Sequence, residues 1–205
     1  MKKQVAIPAE ILDYMQFVRE CPYPINKERV QLVEVLERVF EAEELRFDYD
    51  RIEKYLGYQK YFPFKLLEWE KFCLVLHNCV FRTDGQPRWP DLFILCGRGA
   101  GKNGYLSYEA FCQISPAHGV AYYDVDICAT SEEQAMTSFN DLFYIMENPE
   151  HTAKLKKFFR WTREEIQCKI TKSKLKYRTN NAKGKDGLRS GSVFFDEVHA
   201  YENYE

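Results

Sequence analysis

The sequence predicts an α/β fold: a mostly parallel sheet with helices on both faces at residues 59–205, preceded by a small helical region at 1–58. Three observations predict it. From residue 90 onward, short apolar runs alternate with stretches of helical period. One run, Leu92–Cys96, breaks into Gly97-Arg98-Gly99-Ala100-Gly101-Lys102 and then into a helix-like pattern. Another, Val193–Phe195, ends in the acid pair Asp196-Glu197.

The elements follow in order. Ile11, Leu12, Met15 and Phe17-Val18 mark a first helix over Pro8–Arg19. Asn26 can cap a second, in which Val30, Val33, Leu36, Val39 and Phe40 share a face. A third runs from Asp50 to Leu56 and stops at Gly57, and a fourth is expected over Phe62–Phe81. The polar turn Thr83–Pro87 separates it from the strand Leu92–Cys96. Lys102–Ile114 is the next helix, stopped by Ser115-Pro116, and Asp124–Ala129 the next strand. Thr130-Ser131-Glu132-Glu133 opens a helix as a capping box and the helix ends before Pro149. Glu165–Thr171 and Lys174–Thr179 form a strand pair around a lysine-rich turn, and Val193–Glu197 is the last strand.

Composition narrows the function classes. An apolar share of 45% with 29% charged residues fits a globular chain, and a net charge of -2 excludes a globally basic nucleic-acid binder. No apolar run approaches membrane-spanning length, and Glu10 and Asp13 interrupt any secretory leader, so a cytosolic chain is expected. Seven cysteines without a CxxC pair, and four histidines without HxxxH spacing, indicate neither a disulfide framework nor a zinc site.

The chemistry lies in two motifs. Consecutive backbone N–H groups in a glycine-rich turn form an anion nest, and the following helix directs its positive end at the same point. Gly97, Gly99 and Gly101 let the chain curl around a phosphate that Lys102 can reach. The loop departs from G-x-x-x-x-G-K-[ST]: Cys96 stands at the first glycine and Asn103 at the hydroxyl. Asn103 offers a hard carbonyl oxygen suited to Mg²⁺. The second motif supplies an aspartate for Mg²⁺ and a glutamate to activate water. Loop and acid pair together indicate a P-loop NTPase of the ASCE, RecA-like kind. The alternatives are a tight turn that merely holds a lysine, and a solvated Asp-Glu turn.

Four segments, "PFKLLEWEKF", "LCGRGAGKN", "ATSEEQA" and "GSVFFDEVHA", occur in the order seen in the ATPase domain of tailed-phage large terminase subunits, the DNA-packaging motors, which the chain resembles from about Phe62 onward. The resemblance implies ATP and Mg²⁺ as cofactors, Gly97–Asn103 as the nucleotide loop, Asp196 and Asn103 at the metal, Glu197 as the catalytic base and Arg98 as a catalytic contact to the γ-phosphate. Trp69-Glu70 matches a Trp-Gln pair that reads adenine. Glu70 departs from it, because a carboxylate does not donate to N7, and Trp69 can equally be helix packing. Implied partners are the double-stranded viral genome, the portal and the small terminase subunit, with assembly into a homo-oligomeric ring in the host bacterial cytoplasm and no membrane.

In that family the sheet continues past the acid pair and a nuclease domain follows. The chain is therefore expected to be truncated after the Walker B strand, without nuclease activity, and to bind nucleotide without efficient turnover. Arg160, Arg163, Arg178 and Arg189 are candidates for a charge reaching a neighbour's nucleotide, and Lys169–Lys185 for contact with a DNA backbone. Thr130, Glu133 and Gln134 have a capping role, and His199 lies beside the site. Two other readings stay open: a non-hydrolysing nucleotide-binding or assembly module, and a helicase-like ATPase.

Overall fold

The computed structural model of the protein describes residues 6–178 and 190–198. The chain divides into two units, Met1–Gly57 with Lys65–Leu95, and Tyr58–Phe64 with Cys96–Glu205.

The first unit holds helices α1 (Ala9–Glu20), α2 (Lys27–Ala42), α3 (Tyr49–Gly57) and α4 (Glu68–Cys79), with strands β1 (Leu45–Phe47) and β2 (Val80–Arg82). Ile11, Tyr14, Met15 and Val18 recur at helical spacing, and α1 buries them in packing against α4. The Tyr14 ring stacks on Phe72 with centroids 4.2 Å apart. Asn26 sits at the N-cap of α2 but its side chain makes no capping bond. Helix α4 is shorter than the expected Phe62–Phe81. Leu67 is extended, and Val80–Arg82 leaves the helix to pair antiparallel with β1.

The second unit is built on helices α5 (Lys102–Ile114), α6 (Glu132–Glu147) and α7 (Pro149–Leu155) and a five-stranded sheet. Its strands are β3 (Val125–Cys128), β4 (Phe159–Trp161), β5 (Ile166–Cys168), β6 (Lys174–Arg178) and β7 (Ser192–Phe195), in the order β4-β5-β6-β3-β7. β3 runs parallel to β6 and β7, whereas β4–β5 and β5–β6 are antiparallel. The sheet is mixed rather than mostly parallel, because the connections from β4 to β5 and from β5 to β6 are too short for a crossover.

Helices α5 and α6 pack on each other and both touch β3 and β6, so they share one face of the sheet. That face carries Val125, Ile127, Leu175 and Tyr177, and Phe139 of α6 meets the Tyr177 ring edge-on. The register puts Asp126, Cys128, Val193 and Phe195 on the other face, where Val193 and Phe195 are exposed. Among the described residues the expected second helical layer is absent. The expected strand Leu92–Cys96 is also not a strand: it has no ladder partner among the described residues, and Leu92, Phe93 and Leu95 are exposed. An apolar run needs a neighbour to take up its backbone groups before it becomes a strand.

Candidate nucleotide-binding site

The glycine-rich turn and the start of α5 have the expected form. Gly99 and Gly101 adopt positive φ, +79° and +93°, and Gly101 is the N-cap of α5. Those two positions need glycine because an L side chain there is strained. Ala100 N–H donates to Gly97 O at 3.3 Å, closing the turn, and Tyr105 N–H donates to Gly101 O at 3.0 Å, starting the helix. The amide groups at the start of α5 therefore have no intrahelical acceptor, which suits an anion. Phe64 lies against the first turn of α5: a Cβ on Gly104 would stand 3.1 Å from its ring.

The acid pair comes to the same place. Asp196 N–H donates to Cys128 O at 2.8 Å, extending the β3–β7 ladder by one bond and holding Asp196 at the carboxyl end of both strands. Ligands of open α/β sheets bind at that edge. Lys102 Nζ lies 2.5 Å from Glu197 Oε1 and 2.8 Å from Asp196 Oδ1. The bond to Glu197 spans 95 residues of sequence. Lys102 and Asp196 form an ion pair, and the geometry at this buried Oδ1 falls short of a hydrogen bond.

Burial works to lower the Lys102 pKa, and the two carboxylates outweigh it, so the net shift is upward and the ammonium stays charged. Glu197 has φ +52°, a left-handed conformation that costs a non-glycine residue on the order of 1–3 kcal/mol. Such residues persist where their surroundings over-determine them, and here the ion pair to Lys102 is one of the restraints.

The structure treats the remaining candidates unequally. Asn103 is the second residue of α5, half-buried, with its backbone carbonyl accepting from Ser107 Oγ at 2.9 Å. Arg98 and Gly97 are exposed. Trp69 is half-buried in the first turn of α4. Glu70 is buried, and its Oε2 accepts the Leu67 N–H at 2.7 Å, so the carboxylate serves the N-terminus of its own helix. Burial raises its pKa, and the bond from Leu67 only partly offsets that. Ser131, rather than Thr130, accepts from Gln134 N–H as the cap of α6, and Thr130 Oγ1 donates to Gln134 Oε1.

Among the arginines, Arg160 donates to Gln167 Oε1 and Arg163 lies over the Phe143 ring. Arg178 pairs with Asp126, donating from Nε to Oδ1 at 2.6 Å. Arg189, His199 and residues 179–185 of the basic segment lie outside the described residues. Asp126 itself escaped the sequence reading. It is buried on β3 and also accepts from Ser190 Oγ, so one carboxylate ties the end of β6 to the start of β7. The signal available was an acid inside the otherwise apolar run Val125–Ala129.

Among the described residues no group of three or more His, Cys, Asp or Glu side chains could hold a metal, and no helix is long and apolar enough to cross a membrane. No family model matches the sequence, and no curated protein matches it. Among solved structures, the fold is similar to the crystal structure of the HK97 bacteriophage large terminase, with a TM-score of 0.59 and 19% identity over 75% of this chain. This chain spans about a third, 32%, of that protein. The likeness is one of fold: a mixed α/β arrangement resembling part of that large terminase.

Proposed function

We propose that the chain is the ATPase region of a DNA-packaging motor, binding Mg-ATP at Gly97–Asn103 and hydrolysing it to drive viral DNA into a procapsid. One observation carries the reading: the loop lysine meets two strand-end carboxylates at the carboxyl edge of the sheet, across 95 residues of sequence. The fold likeness to a large terminase supports it, and so does the order of the four sequence segments.

Lys102 would pair with the β- and γ-phosphates, and the free amides at the start of α5 would hold the same anion. Asp196 Oδ1 suits a hard divalent cation, being anionic, buried and without a hydrogen bond. Asp196, with Asn103 from the first turn of α5, would hold Mg²⁺, which needs few protein ligands when phosphates supply the rest. That ion would neutralise charge on the transferring phosphoryl group. Phosphate binding would draw Lys102 from Glu197, whose carboxylate would then take a proton from the attacking water. Arg98, exposed on the loop, would reach the γ-phosphate. Duplex DNA, a portal, a small subunit and a homo-oligomeric ring belong to the same reading.

The test is steady-state ATP hydrolysis by the chain and by Glu197→Gln. Loss of the general base is expected to reduce turnover by ~10²-fold or more while Mg-ATP still binds. Equal turnover in the two proteins would remove Glu197 from the mechanism. A second reading, nucleotide binding without turnover, is favoured by the unpaired segment Leu92–Cys96, which leaves the loop without a strand in front of it. Binding with no hydrolysis in either protein would select that reading.

A further inference from the structure

We propose that the surface formed by Lys156, Lys157, Lys169 and Lys172 binds the phosphodiester backbone of nucleic acid. Two stretches of the sequence are rich in cations and free of acids: Thr152–Arg163 carries Lys154, Lys156, Lys157, Arg160 and Arg163, and Gln167–Arg178 carries Lys169, Lys172, Lys174, Lys176 and Arg178. In a chain of net charge -2 this is a local concentration rather than a general excess.

The fold brings the two stretches together. Lys169 N–H donates to Phe158 O at 2.7 Å, and Lys169 Nζ donates to Lys156 O at 2.5 Å, so the turn between β5 and β6 lies against the segment leading into β4. Three of the ten cations are neutralised: Lys174 and Lys176 share Glu165, and Arg178 is held by Asp126. Lys156, Lys157, Lys169 and Lys172 have no ion pair among the described residues, and all four are exposed.

The turn is built rather than loose. Cys168 N–H donates to Ser173 O at 2.9 Å, Lys172 N–H to Cys168 O at 3.1 Å, and Gln167 Nε2 to Lys172 O at 3.1 Å. These bonds hold Lys172 at φ +65°, a conformation rare for lysine. A fixed backbone carrying exposed ammonium groups suits a row of phosphates, where each lysine acts as a point charge. Exposed apolar side chains accompany them: Ile170 follows Lys169, and Tyr122, whose N–H donates to Thr171 O, is 73% exposed. They offer sugar and base contacts but no specific readout, so affinity should be independent of sequence and steeply dependent on salt.

This surface is separate from the nucleotide site. It precedes the amino end of β6, whereas Asp196-Glu197 follow the carboxyl end of β7, and both strands run parallel to β3. The choice of duplex DNA as occupant rests on the packaging role proposed above, and the charge pattern itself does not.

The test is fluorescence anisotropy of a labelled 30-bp duplex titrated with the chain at several salt concentrations, beside a single strand of the same length and a poly-glutamate peptide. The four-fold variant Lys156→Gln/Lys157→Gln/Lys169→Gln/Lys172→Gln is compared with Lys27→Gln/Lys54→Gln/Lys60→Gln/Lys65→Gln, which removes equal charge elsewhere. The first variant is expected to bind at least tenfold more weakly at low salt. Its log–log salt slope should flatten by roughly 0.9 for each phosphate that is no longer neutralised. The second should bind like the parent. Equal weakening in both variants, or binding of poly-glutamate and not DNA, overturns the proposal. A preference for the single strand keeps the surface and reassigns its substrate. Mg-ATP binding is measured on the same proteins: DNA contrast without ATP binding sinks the nucleotide reading alone, and ATP binding without DNA contrast sinks this surface alone.

Discussion

Replacing Gly191 by alanine should destabilise the second unit, and the structure gives the size. Gly191 leads into β7, which carries the acid pair, and its N–H donates to Asp124 O at 2.8 Å. Its φ is not in the left-handed region, so alanine meets no backbone strain there. By conformational entropy alone, alanine would stabilise by about 0.4–1 kcal/mol. Sterics reverse the sign. A Cβ at 191 would lie 2.4 Å from Tyr123 Cδ2 and 2.6 Å from both Cε2 and Cγ. Carbon atoms rest about 3.5–4.0 Å apart, so the overlap is about 1 Å. The ring can swing clear only by a change of χ1, which would carry it off its packing on His118. The Tyr123 backbone is fixed by its N–H bond to Ser173 Oγ at 3.0 Å, and the ring packs on His118 with centroids 4.2 Å apart. Overpacking of this kind costs about 1–3 kcal/mol, leaving a net loss of about 1–2 kcal/mol. In thermal unfolding followed by circular dichroism this is a fall of roughly 3–8 °C in the midpoint. Adding Tyr123→Ala to Gly191→Ala should recover part of the loss caused by the glycine change. A Gly191→Ala protein that melts at or above the parent would show that the ring yields freely and that no clash exists.

Other outcomes follow from the same geometry. Glu70→Gln keeps an acceptor for the Leu67 N–H and removes a buried charge, so it should match or exceed the parent in urea stability at pH 7, by up to about 1 kcal/mol. Because burial raises the Glu70 pKa, the parent's folded state is favoured below the unfolded value near 4.5 and loses that advantage as pH rises through the folded value. The gap between variant and parent should therefore close below about pH 4.5, and a gap that widens on acidification would contradict the burial argument. Asp126→Ala leaves Arg178 and Ser190 without their shared acceptor. It should cost about 2–4 kcal/mol, discounted from a fully buried pair because Arg178 is partly exposed, as read from the urea midpoint.

The parts of the molecule that were legible in sequence are those governed by local rules. Helix α5 runs from Lys102 to Ile114 as read, because a glycine cap and Ser115-Pro116 mark both ends. The strand at Val125–Cys128 and the acid pair closing β7 also stand where apolar runs and their breaks put them. Of the three-residue strands, Leu45–Phe47, Val80–Arg82 and Phe159–Trp161 were not legible, being too short to show a period of two, whereas Ile166–Cys168 falls within the strand read at Glu165–Thr171. Val80–Arg82 was further hidden because Cys79-Val80-Phe81 resumes the apolar run Phe72–Leu76 after only His77-Asn78. The parallel or antiparallel sense of β5 and the one-sided placement of α5 and α6 depend on tertiary pairing. Leu92–Cys96 shows the converse, a strand-like run left without a partner.

At the site, residue types were legible and their engagements were not. The loop glycines, Lys102, Asp196 and Glu197 could be named, but their meeting at 2.5 and 2.8 Å needed the fold. Glu70 looked like a base-reading position, yet its carboxylate is committed to its own helix through a three-residue reach, hidden in sequence because Leu67 rather than Ser or Thr stands at the N-cap. Arg178 looked free to act on a neighbour, and its partner Asp126 was an acid in a buried run.

Whether the glycine-rich loop holds nucleotide is decided by titration calorimetry of Mg-ATP into this chain and into Lys102→Ala. Saturable binding by the parent is expected, dependent on Mg²⁺ and at least tenfold weaker in the variant, with the variant's circular dichroism spectrum unchanged. Binding that survives the loss of Lys102 undiminished, or a folded parent that binds no nucleotide, would contradict the loop's assignment as a nucleotide site.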